Sequence, residues 1–301
     1  MAKKIKTDLA ASIRARLLAK AKAQSIDFNA VLLQYGQERF LYRLSISRWQ
    51  ESFMLKGALL FLAFEMPRSR PTKDIDLLGR SITAELNGIR AIMREIAEIS
   101  YNDGVVFDPD SIDTQRIKEN QQYEGVRVLV QGRLGTARIK IQIDIGFGDV
   151  VSYPPGKKTF PSLLDIPAPE IMIYSRETAV AEKLEALAKL GLATSRMKDF
   201  YDVLYLARNT DFSLRKLALA VKKTFTKRNT DLSLLQGVYG EQWKQEREKQ
   251  IQWKSFVERN RLDVETEIGD VVDLLRPFVR MLVSKDAPEN SNWDPQSWAW
   301  K

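Results

Sequence analysis

The hydrophobic pattern of this chain changes halfway along, and that change constrains the fold more than any other feature. Three short runs in the first half, 74–78, 125–130 and 137–145, alternate apolar with other residues, as strands of a sheet do. Beyond a proline-rich stretch at 153–169, apolar residues recur at helical spacing. The sequence therefore predicts an α+β fold: a small mixed sheet with flanking helices, followed by a helical C-terminal half.

Turn and capping residues locate the elements more closely. In the first half we expect helices within 7–44, a strand at 53–55, a turn at Gly57, a helix at 58–64 and a loop at 66–73. We expect Ser81 to cap a helix that ends near Ala97, and Gly132 and Gly135 to lie in a hairpin. In the second half, helices are predicted at 178–190, 197–207, 214–225, 241–260 and 264–282.

We predict two domains, 1–165 and 166–301, with 153–169 as a linker. The tail at 288–301 holds three tryptophans among many polar residues. Two alternatives stay open for this tail, namely docking on the surface and partial disorder.

Composition excludes several classes of chemistry. The 301 residues include no cysteine and no histidine, so thiolate nucleophiles, Ser-His-Asp sites and His-ligated metals are ruled out. A metal would have to be a hard cation bound by oxygen, Mg²⁺ or Mn²⁺. The net charge of +8 suits a polyanionic partner. No apolar run is long enough to span a membrane, so we expect a soluble, cytoplasmic protein.

The run Asp74-Ile75-Asp76 is the centre of the functional prediction. Residues i and i+2 of a strand point to the same face, so both carboxylates should project together, away from Ile75. Two like charges at that distance call for cations between them, as in phosphoryl and nucleotidyl transfer. The tripeptide alone is common, and a solvated strand edge explains it as well.

Two further segments strengthen this prediction. Lys56 and Gly57 form a strand-to-helix turn whose backbone N–H groups could contact phosphates. Asp144 lies in an alternating strand, on the face of Gln142 and Gly146, where it could be a third metal ligand or a base. A partly exposed strand aspartate remains the alternative for Asp144.

Charged residues of two predicted helices complete the candidate set. Lys183 could contact a triphosphate or leaving group, and Asp199 and Asp202 are i, i+3 neighbours on one helical face. Such residues usually belong to solvated faces, which is the alternative here.

The segments that carry these residues resemble the motifs of the AbiEii-type nucleotidyltransferases. The runs LKGALLFLAF, RPTKDIDLLG, IQIDIGFGD and AVAEKLEALAKLG…SRMKDFYDV carry the resemblance, which extends over roughly residues 15–208. The family consists of toxins from abortive-infection and toxin–antitoxin operons, and the MenT toxins are relatives. The resemblance implies a polymerase β-like minimal core, a nucleoside triphosphate substrate and an antitoxin encoded nearby.

The resemblance also assigns residues. Arg70, Thr72, Asp74 and Asp76 fall on the family pattern Arg-x-Thr-x-Asp-x-Asp, and Asp144 falls on the strand carboxylate. Lys183 and Asp199 fall on the lysine and aspartate of the third motif, with Asp202 just beyond. Ala58 stands where the family often has Gly or Ser, so phosphate contacts there would be backbone ones. In some members the acceptor is the 3′ end of tRNA.

The sequence leaves the acceptor open. The prediction is transfer to the 3′ end of tRNA; the alternatives are a protein or small-molecule acceptor, and a binding module without turnover. A cationic segment favours RNA, with Lys222, Lys223 and Lys227 as candidate contacts beside Arg215, Lys216 and Arg228. A solvated cationic face is the alternative for that segment.

Overall fold

The computed structural model describes residues 8–66, 72–120, 123–152, 156–264, 267–284, 288 and 290–301. Two compact units divide the chain. The first comprises the residues up to Glu65, Thr72–Gly148 and Gly156–Ile173; the second comprises Met66, residues 149–152 and Tyr174 onward. The first unit thus continues to Ile173, and the domain boundary predicted at 165/166 stays a prediction.

The first unit combines four helices with seven strands among its described residues. In chain order its elements are α1 (Leu9–Ala23), α2 (Phe28–Ile46), β1 (Phe53–Lys56), α3 (Leu60–Ala63), β2 (Asp74–Gly79), α4 (Leu86–Glu98), β3 (Val105–Asn120), β4 (Tyr123–Leu134), β5 (Ala137–Phe147), β6 (Gly156–Thr159) and β7 (Glu170–Ile173). A 3-10 turn, Gly57–Leu59, joins β1 to α3.

The strands form one mixed sheet in the order β3-β4-β5-β2-β1-β7-β6. The pairs β2/β5 and β1/β7 are parallel, and the other neighbours are antiparallel. One face buries the β-branched residues, including Ile75, Val128 and Ile143, beneath the helices. The opposite face carries the polar residues of the same strands, so alternation within each strand separates core from candidate site.

Helix α2 holds the start of β2 through a side-chain hydrogen bond. Its N-cap is Asp27, whose carboxylate accepts a hydrogen bond from the Ala30 N–H. The buried Gln37 side chain donates to the Lys73 carbonyl at 2.9 Å, one residue before Asp74. The strand that carries the aspartates is therefore held just before its first residue by the helix packed beneath the sheet.

Several predicted elements are confirmed and others are wrong. The hairpin is present, with Leu134 opposite Ala137. Helix α4 begins at Leu86 rather than after Ser81, because the Glu85 side chain accepts from the N–H groups of Asn87 and Gly88 and serves as its cap. The long strand β3 was not predicted. Its register against β4 shifts between Asp108 and Asp113, and that irregularity interrupts the alternation that reveals a strand.

The predicted linker is also wrong for most of its length. Strand β6 pairs with β7, and Phe160 is buried with its N–H bonded to the Pro169 carbonyl. Glu38 of α2 accepts from the Ser162 hydroxyl and the Leu163 N–H. These bonds fix the proline-rich segment to the first unit.

The second unit is mainly helical, which confirms the predicted α+β class with a helical second half. Its elements are α5 (Arg176–Leu190), α6 (Met197–Asn209), β8 (Phe212–Ser213), α7 (Leu214–Lys227), α8 (Gln242–Gln245), α9 (Arg247–Asn260), α10 (Ile268–Arg280), β9 (Asn292–Asp294) and β10 (Ala299–Trp300). The helix predicted at 241–260 is two helices, because the backbone of Glu246 is extended.

The tryptophan-rich tail docks on α10. Trp293 is buried against Phe278, and Trp300 stacks on the same ring. The indole N–H of Trp298 donates to the Leu274 carbonyl. Of the two alternatives for the tail, docking is therefore correct over 290–301. Separately, no helix within the described residues is both long and apolar enough to cross a membrane.

Gly36 permits the close approach of α2 to the sheet, and we predict that Gly36→Ala destabilises the protein. A Cβ at this position would lie 2.5 Å from Cγ2 of Ile139. The overpacking should cost about 1–3 kcal/mol, although alanine is the better helix former. Urea unfolding measures the loss, and in an Ile139→Ala background, where the clashing methyl is absent, the same Gly36→Ala change should cost less. An unchanged free energy of unfolding in the single variant would contradict the proposed packing.

Candidate active site

Asp74 and Asp76 share the polar face of β2. Both are partly exposed, whereas Ile75 between them is fully buried. The Thr72 hydroxyl lies 3.4 Å from the Asp74 carbonyl, to which it donates. The alternation predicted from the sequence therefore holds at the start of β2. Arg70, the other member of this predicted motif, lies outside the described residues.

Strand pairing places four charged residues in one row across the sheet. Asp76 is paired with Lys56 on one side and with Asp144 on the other, and Asp144 is paired in turn with Arg127. Neighbouring strands are about 4.8 Å apart, so paired residues on one face are in contact range. We call this row, Lys56–Asp76–Asp144–Arg127, the charged row; it has two carboxylates at its centre and a cation at each end.

Arg127 binds Asp144 through both carboxylate oxygens. Its Nε donates to Oδ1 at 2.8 Å and its Nη2 to Oδ2 at 2.7 Å. The Gln142 amide lies at 3.3 and 3.2 Å from the same two oxygens. Hydrogen bonding to Asp144 raises the pKa of Arg127, and the charges of Asp144, Asp74 and Asp76 act in the same direction. Arg127 therefore stays a cation and compensates the carboxylates.

Gly57 sits directly against Asp76. Its φ is +70°, and a Cβ there would lie 1.9 Å from Oδ2 of Asp76. Only glycine satisfies both the backbone conformation and the contact. The following helix α3 has four residues, so its dipole is weak, and phosphate binding at this turn would depend on backbone N–H groups.

In the second unit, Lys183 of α5 is held by two buried aspartates of α6. Its Nζ lies 3.2 Å from Oδ1 of Asp199 and 2.6 Å from Oδ2 of Asp202. Arg196 donates to the other oxygen of Asp199. The i, i+3 relation of the aspartates is confirmed, but the solvated face considered as the alternative is wrong, because both are at most 1% exposed.

The charges around Asp199 outweigh its burial. Burial raises the pKa of Asp199, whereas the positive charges of Lys183 and Arg196 lower it, and the net result is a pKa of about 2. Asp199 is therefore ionised at neutral pH.

The cationic segment is partly as predicted. On α7, Lys222, Lys223 and Lys227 are exposed, with Arg215 and Lys216 on the same side. Arg228 is buried instead, and donates to Glu185 at 2.9 Å and to Asp149 at 2.8 Å. Burial lowers the pKa of Arg228, but Glu182 and Asp149 raise it by more. Arg228 is thus part of the interior of the second unit.

Arg127 is the site residue that the sequence reasoning missed. Val126 and Val128 place it on the face opposite the core, a signal that was available. Counting back from the turn, where Leu134 pairs with Ala137, also places residue 127 opposite 144. The register of a tight hairpin was thus sufficient to find this ion pair.

The oxygen donors suit a hard cation, although they do not form a closed cage. Among the described residues, no three acidic side chains converge closely enough to hold a metal ion. Mg²⁺, however, is usually bound through one or two carboxylates together with substrate phosphates. Asp74 and Asp76 on one face of β2 meet that requirement.

Paired carboxylates beside a glycine turn, on the polar face of a mixed sheet, are typical of enzymes that transfer phosphoryl or nucleotidyl groups. The sequence model of the family described as "Nucleotidyl transferase AbiEii toxin, Type IV TA system" matches residues 39–278. Because this match extends over most of the chain, the protein belongs to the AbiEii family of nucleotidyltransferase toxins. Membership implies a nucleoside triphosphate substrate and an antitoxin as counterpart.

Solved structures show only distant likeness. The chain is 14% identical to JHP933 from Helicobacter pylori, with 84% of this chain and 91% of that chain covered and a TM-score of 0.47. It is 12% identical to an antigenic nucleotidyltransferase-like protein from Paracoccidioides brasiliensis, with 77% and 94% covered and a TM-score of 0.32. No curated protein matches the chain.

We predict that Lys183→Met destabilises the second unit, because it leaves Asp199 and Asp202 buried without their shared cation. The free energy of unfolding should fall by about 3–5 kcal/mol, and by less in Lys183→Arg, which keeps the charge. Because the folded pKa of Asp199 is depressed to about 2, its carboxylate adds to the free energy of unfolding above pH ~4. That stabilisation is lost as pH falls through about 2.

Urea unfolding at pH 7 measures this effect. The matched control is Lys254→Met on α9, where the lysine side chain is 79% exposed and 4.0 Å from Glu258. The control should change stability by less than about 0.5 kcal/mol. Equal stability of Lys183→Met and the control would show that the buried cluster does not depend on the ammonium.

Proposed function

We propose that this protein transfers a nucleoside monophosphate from a nucleoside triphosphate to the 3′ end of tRNA, with Mg²⁺ or Mn²⁺, and acts as the toxin of a toxin–antitoxin or abortive-infection system. The observation that supports it is the pairing of Asp76 with Asp144, beside Gly57, in a chain of a nucleotidyltransferase family. The tRNA acceptor and the metal are the parts that go beyond family membership.

Asp74 and Asp76 would hold the metal, and Asp144 is the third candidate ligand. When bound, the metal would neutralise the phosphate charge that develops during transfer. The backbone N–H groups after Lys56, at Gly57, would contact the triphosphate. Arg70 and Thr72 are proposed as further nucleotide contacts on the strength of their place in the family pattern.

The reaction is a displacement at the α-phosphorus. An oxygen–phosphorus bond forms between the acceptor hydroxyl and the α-phosphate, and the bond to the β-phosphate breaks, so that pyrophosphate leaves. The hydroxyl proton has to pass to a base. In a chain without histidine, Asp144 is our candidate, because it lies on the same face as Asp76 and is joined to it by strand pairing.

For the second unit we keep the roles that the family pattern implies. Lys183 is proposed to contact the triphosphate, with Asp199 as its catalytic partner and Asp202 as a further nucleotide contact. Because Lys183 also bridges two buried carboxylates, a variant at this position must be examined for folding before its activity is interpreted.

The exposed side of α7 supports a polyanionic acceptor. Seven residues along it, at 215, 216, 219, 222, 223, 226 and 227, are exposed and follow helical spacing. Five of them are lysine or arginine and none is acidic. We call these five, Arg215, Lys216, Lys222, Lys223 and Lys227, the α7 cationic face. A row of cations along a helix can follow the phosphate backbone of RNA.

The first prediction on function concerns the metal pair. Asp76→Asn should reduce Mg²⁺-dependent transfer at least about 100-fold, because it removes an anionic ligand while keeping the side-chain volume beside Gly57. Asp113→Asn, at an exposed aspartate of the same sheet, is the matched control and should transfer normally. The measurement is incorporation from each α-labelled nucleoside triphosphate into total RNA and protein. A folded Asp76→Asn protein with normal transfer would disprove the metal assignment.

The same assay identifies the acceptor. Label in tRNA that disappears when the 3′-terminal ribose has been oxidised would support the proposal. Label in protein or in small molecules would replace tRNA by that acceptor. Binding of a nucleoside triphosphate with no labelled product, across all four nucleotides, would favour a binding module without turnover.

The second prediction concerns the α7 cationic face. Changing Lys222, Lys223 and Lys227 together to glutamine should weaken tRNA binding and reduce the salt slope by roughly one unit for each phosphate that the variant no longer neutralises. Binding of the nucleoside triphosphate should be unchanged. Filter binding of tRNA at several salt concentrations measures both quantities. An unaltered slope would remove this face from the acceptor site.

A further inference from the structure

The ion pair between Arg127 and Asp144 fully engages a carboxylate that the proposed function needs. Two guanidinium nitrogens and the Gln142 amide occupy both oxygens of Asp144. In this arrangement Asp144 cannot also present those lone pairs to a metal ion or a hydroxyl group. Arg127 therefore occupies the position at Asp144 that a metal cation would take.

The charge pattern of the sheet explains why a cation is needed there. Asp76 and Asp144 occupy paired positions on neighbouring strands, and Asp74 lies two residues from Asp76 on the same face. Carboxylates at such separations repel one another unless positive charge lies close by. Arg127 supplies that charge next to Asp144.

Comparison with another ion pair of the same unit shows that the Arg127 contact is built differently. Arg43 also binds an aspartate, Asp103, through two nitrogens, but it is 2% exposed and donates to three backbone carbonyls as well. Arg127 is 33% exposed, and within the described residues its hydrogen bonds go to Asp144 alone. Five hydrogen bonds fix Arg43, whereas, in the described part of the chain, Arg127 is held only by its two bonds to Asp144.

We propose that Arg127 is an exchangeable counter-ion. It neutralises Asp144 while the site is without metal and nucleotide, and it moves to the triphosphate when the metal-bound nucleotide arrives and a metal cation takes over at the carboxylates. This inference rests on the proposed function. The planar guanidinium suits both Asp144 and the triphosphate, because it can bind either a carboxylate or a phosphate through two parallel hydrogen bonds.

If Arg127 exchanges in this way, its removal should change the affinities for Mn²⁺ and for the nucleotide in opposite directions. Removal of a merely structural ion pair would not do so. Without Arg127 the metal has no competitor for Asp144, so the nucleotide-free protein should bind Mn²⁺ more tightly. The triphosphate is deprived of a charge-assisted hydrogen bond, so nucleotide binding should weaken. Removal of a purely structural ion pair would instead weaken both, through distortion of the site.

The experiment compares the wild type with Arg127→Gln, Arg127→Lys and the matched control Arg133→Gln. Arg133 lies on the same strand and face, six residues away, and is exposed. Mn²⁺ affinity is measured by calorimetry on the nucleotide-free proteins at pH 7.5. Nucleotide affinity is measured with Mg²⁺ and triphosphate analogues whose α–β bridge cannot be cleaved, using the base that the wild type binds best. Thermal unfolding confirms that each variant is folded.

For Arg127→Gln we expect Mn²⁺ affinity to rise, and nucleotide affinity to fall, each by about tenfold, the worth of one charge-assisted hydrogen bond. Arg127→Lys should show smaller changes of the same signs, because lysine keeps the charge without the fork. Arg133→Gln should leave both affinities within about twofold, since a distant exposed charge is screened.

Two results would overturn the exchange. One is an Mn²⁺ affinity that is unchanged or lower in Arg127→Gln, while the wild type binds metal and transfers nucleotides. In that case the proposed function stands and the exchange of Arg127 is disproved. The other is an equal rise in Mn²⁺ affinity in Arg133→Gln, which would assign the effect to net charge. If the wild type bound neither Mn²⁺ nor any analogue, the metal site and the exchange would both fall.

Discussion

The parallel register between β2 and β5 is the constraint on which the candidate site depends. It sets Asp76 beside Asp144, although 68 positions separate them along the chain. Side chains alternate along a strand, so a slip of one residue would turn one of these carboxylates into the core. Burial of Ile75 and Ile143 on the opposite face excludes that slip, since it would expose one of these isoleucines and bury charge. The hydrophobic core thereby fixes the polar face.

The close approach of α2 to the sheet is a second constraint on the candidate site. Gly36 allows the helix to lie directly on β5, and one residue later Gln37 hydrogen-bonds the carbonyl that precedes β2. One helix therefore contacts β5 and the residue that leads into β2. A site built on strands held in this way can keep like charges together, provided that a cation balances them, as Arg127 does next to Asp144.

Local patterns in the sequence were enough to predict the α+β class, the Asp74–Asp76 face, the hairpin and the i, i+3 aspartates. The resemblance of the motifs identified the family. What the local patterns did not show depended on pairing at long range. Strand β3 is hidden by its irregular register, and the segment after Tyr153 reads as a linker until its bonds to Glu38 are known. Arg127 could have been found by counting from the hairpin turn, whereas the burial of Arg228 depends on Asp149, which is distant along the chain.

Buried ion pairs and partly exposed charges have different roles in this protein, and the difference separates stability from chemistry. In the second unit Lys183 and Arg228 are buried among carboxylates, where removal of one partner leaves an uncompensated charge in a poorly solvated place. In the charged row of the first unit Lys56 and Asp144 are buried, whereas Asp76 and Arg127 are partly exposed and accessible to an incoming ligand. Charges that can be exchanged suit the binding of a metal-bound triphosphate, because the incoming ligand brings both the cation and the anion that the row requires.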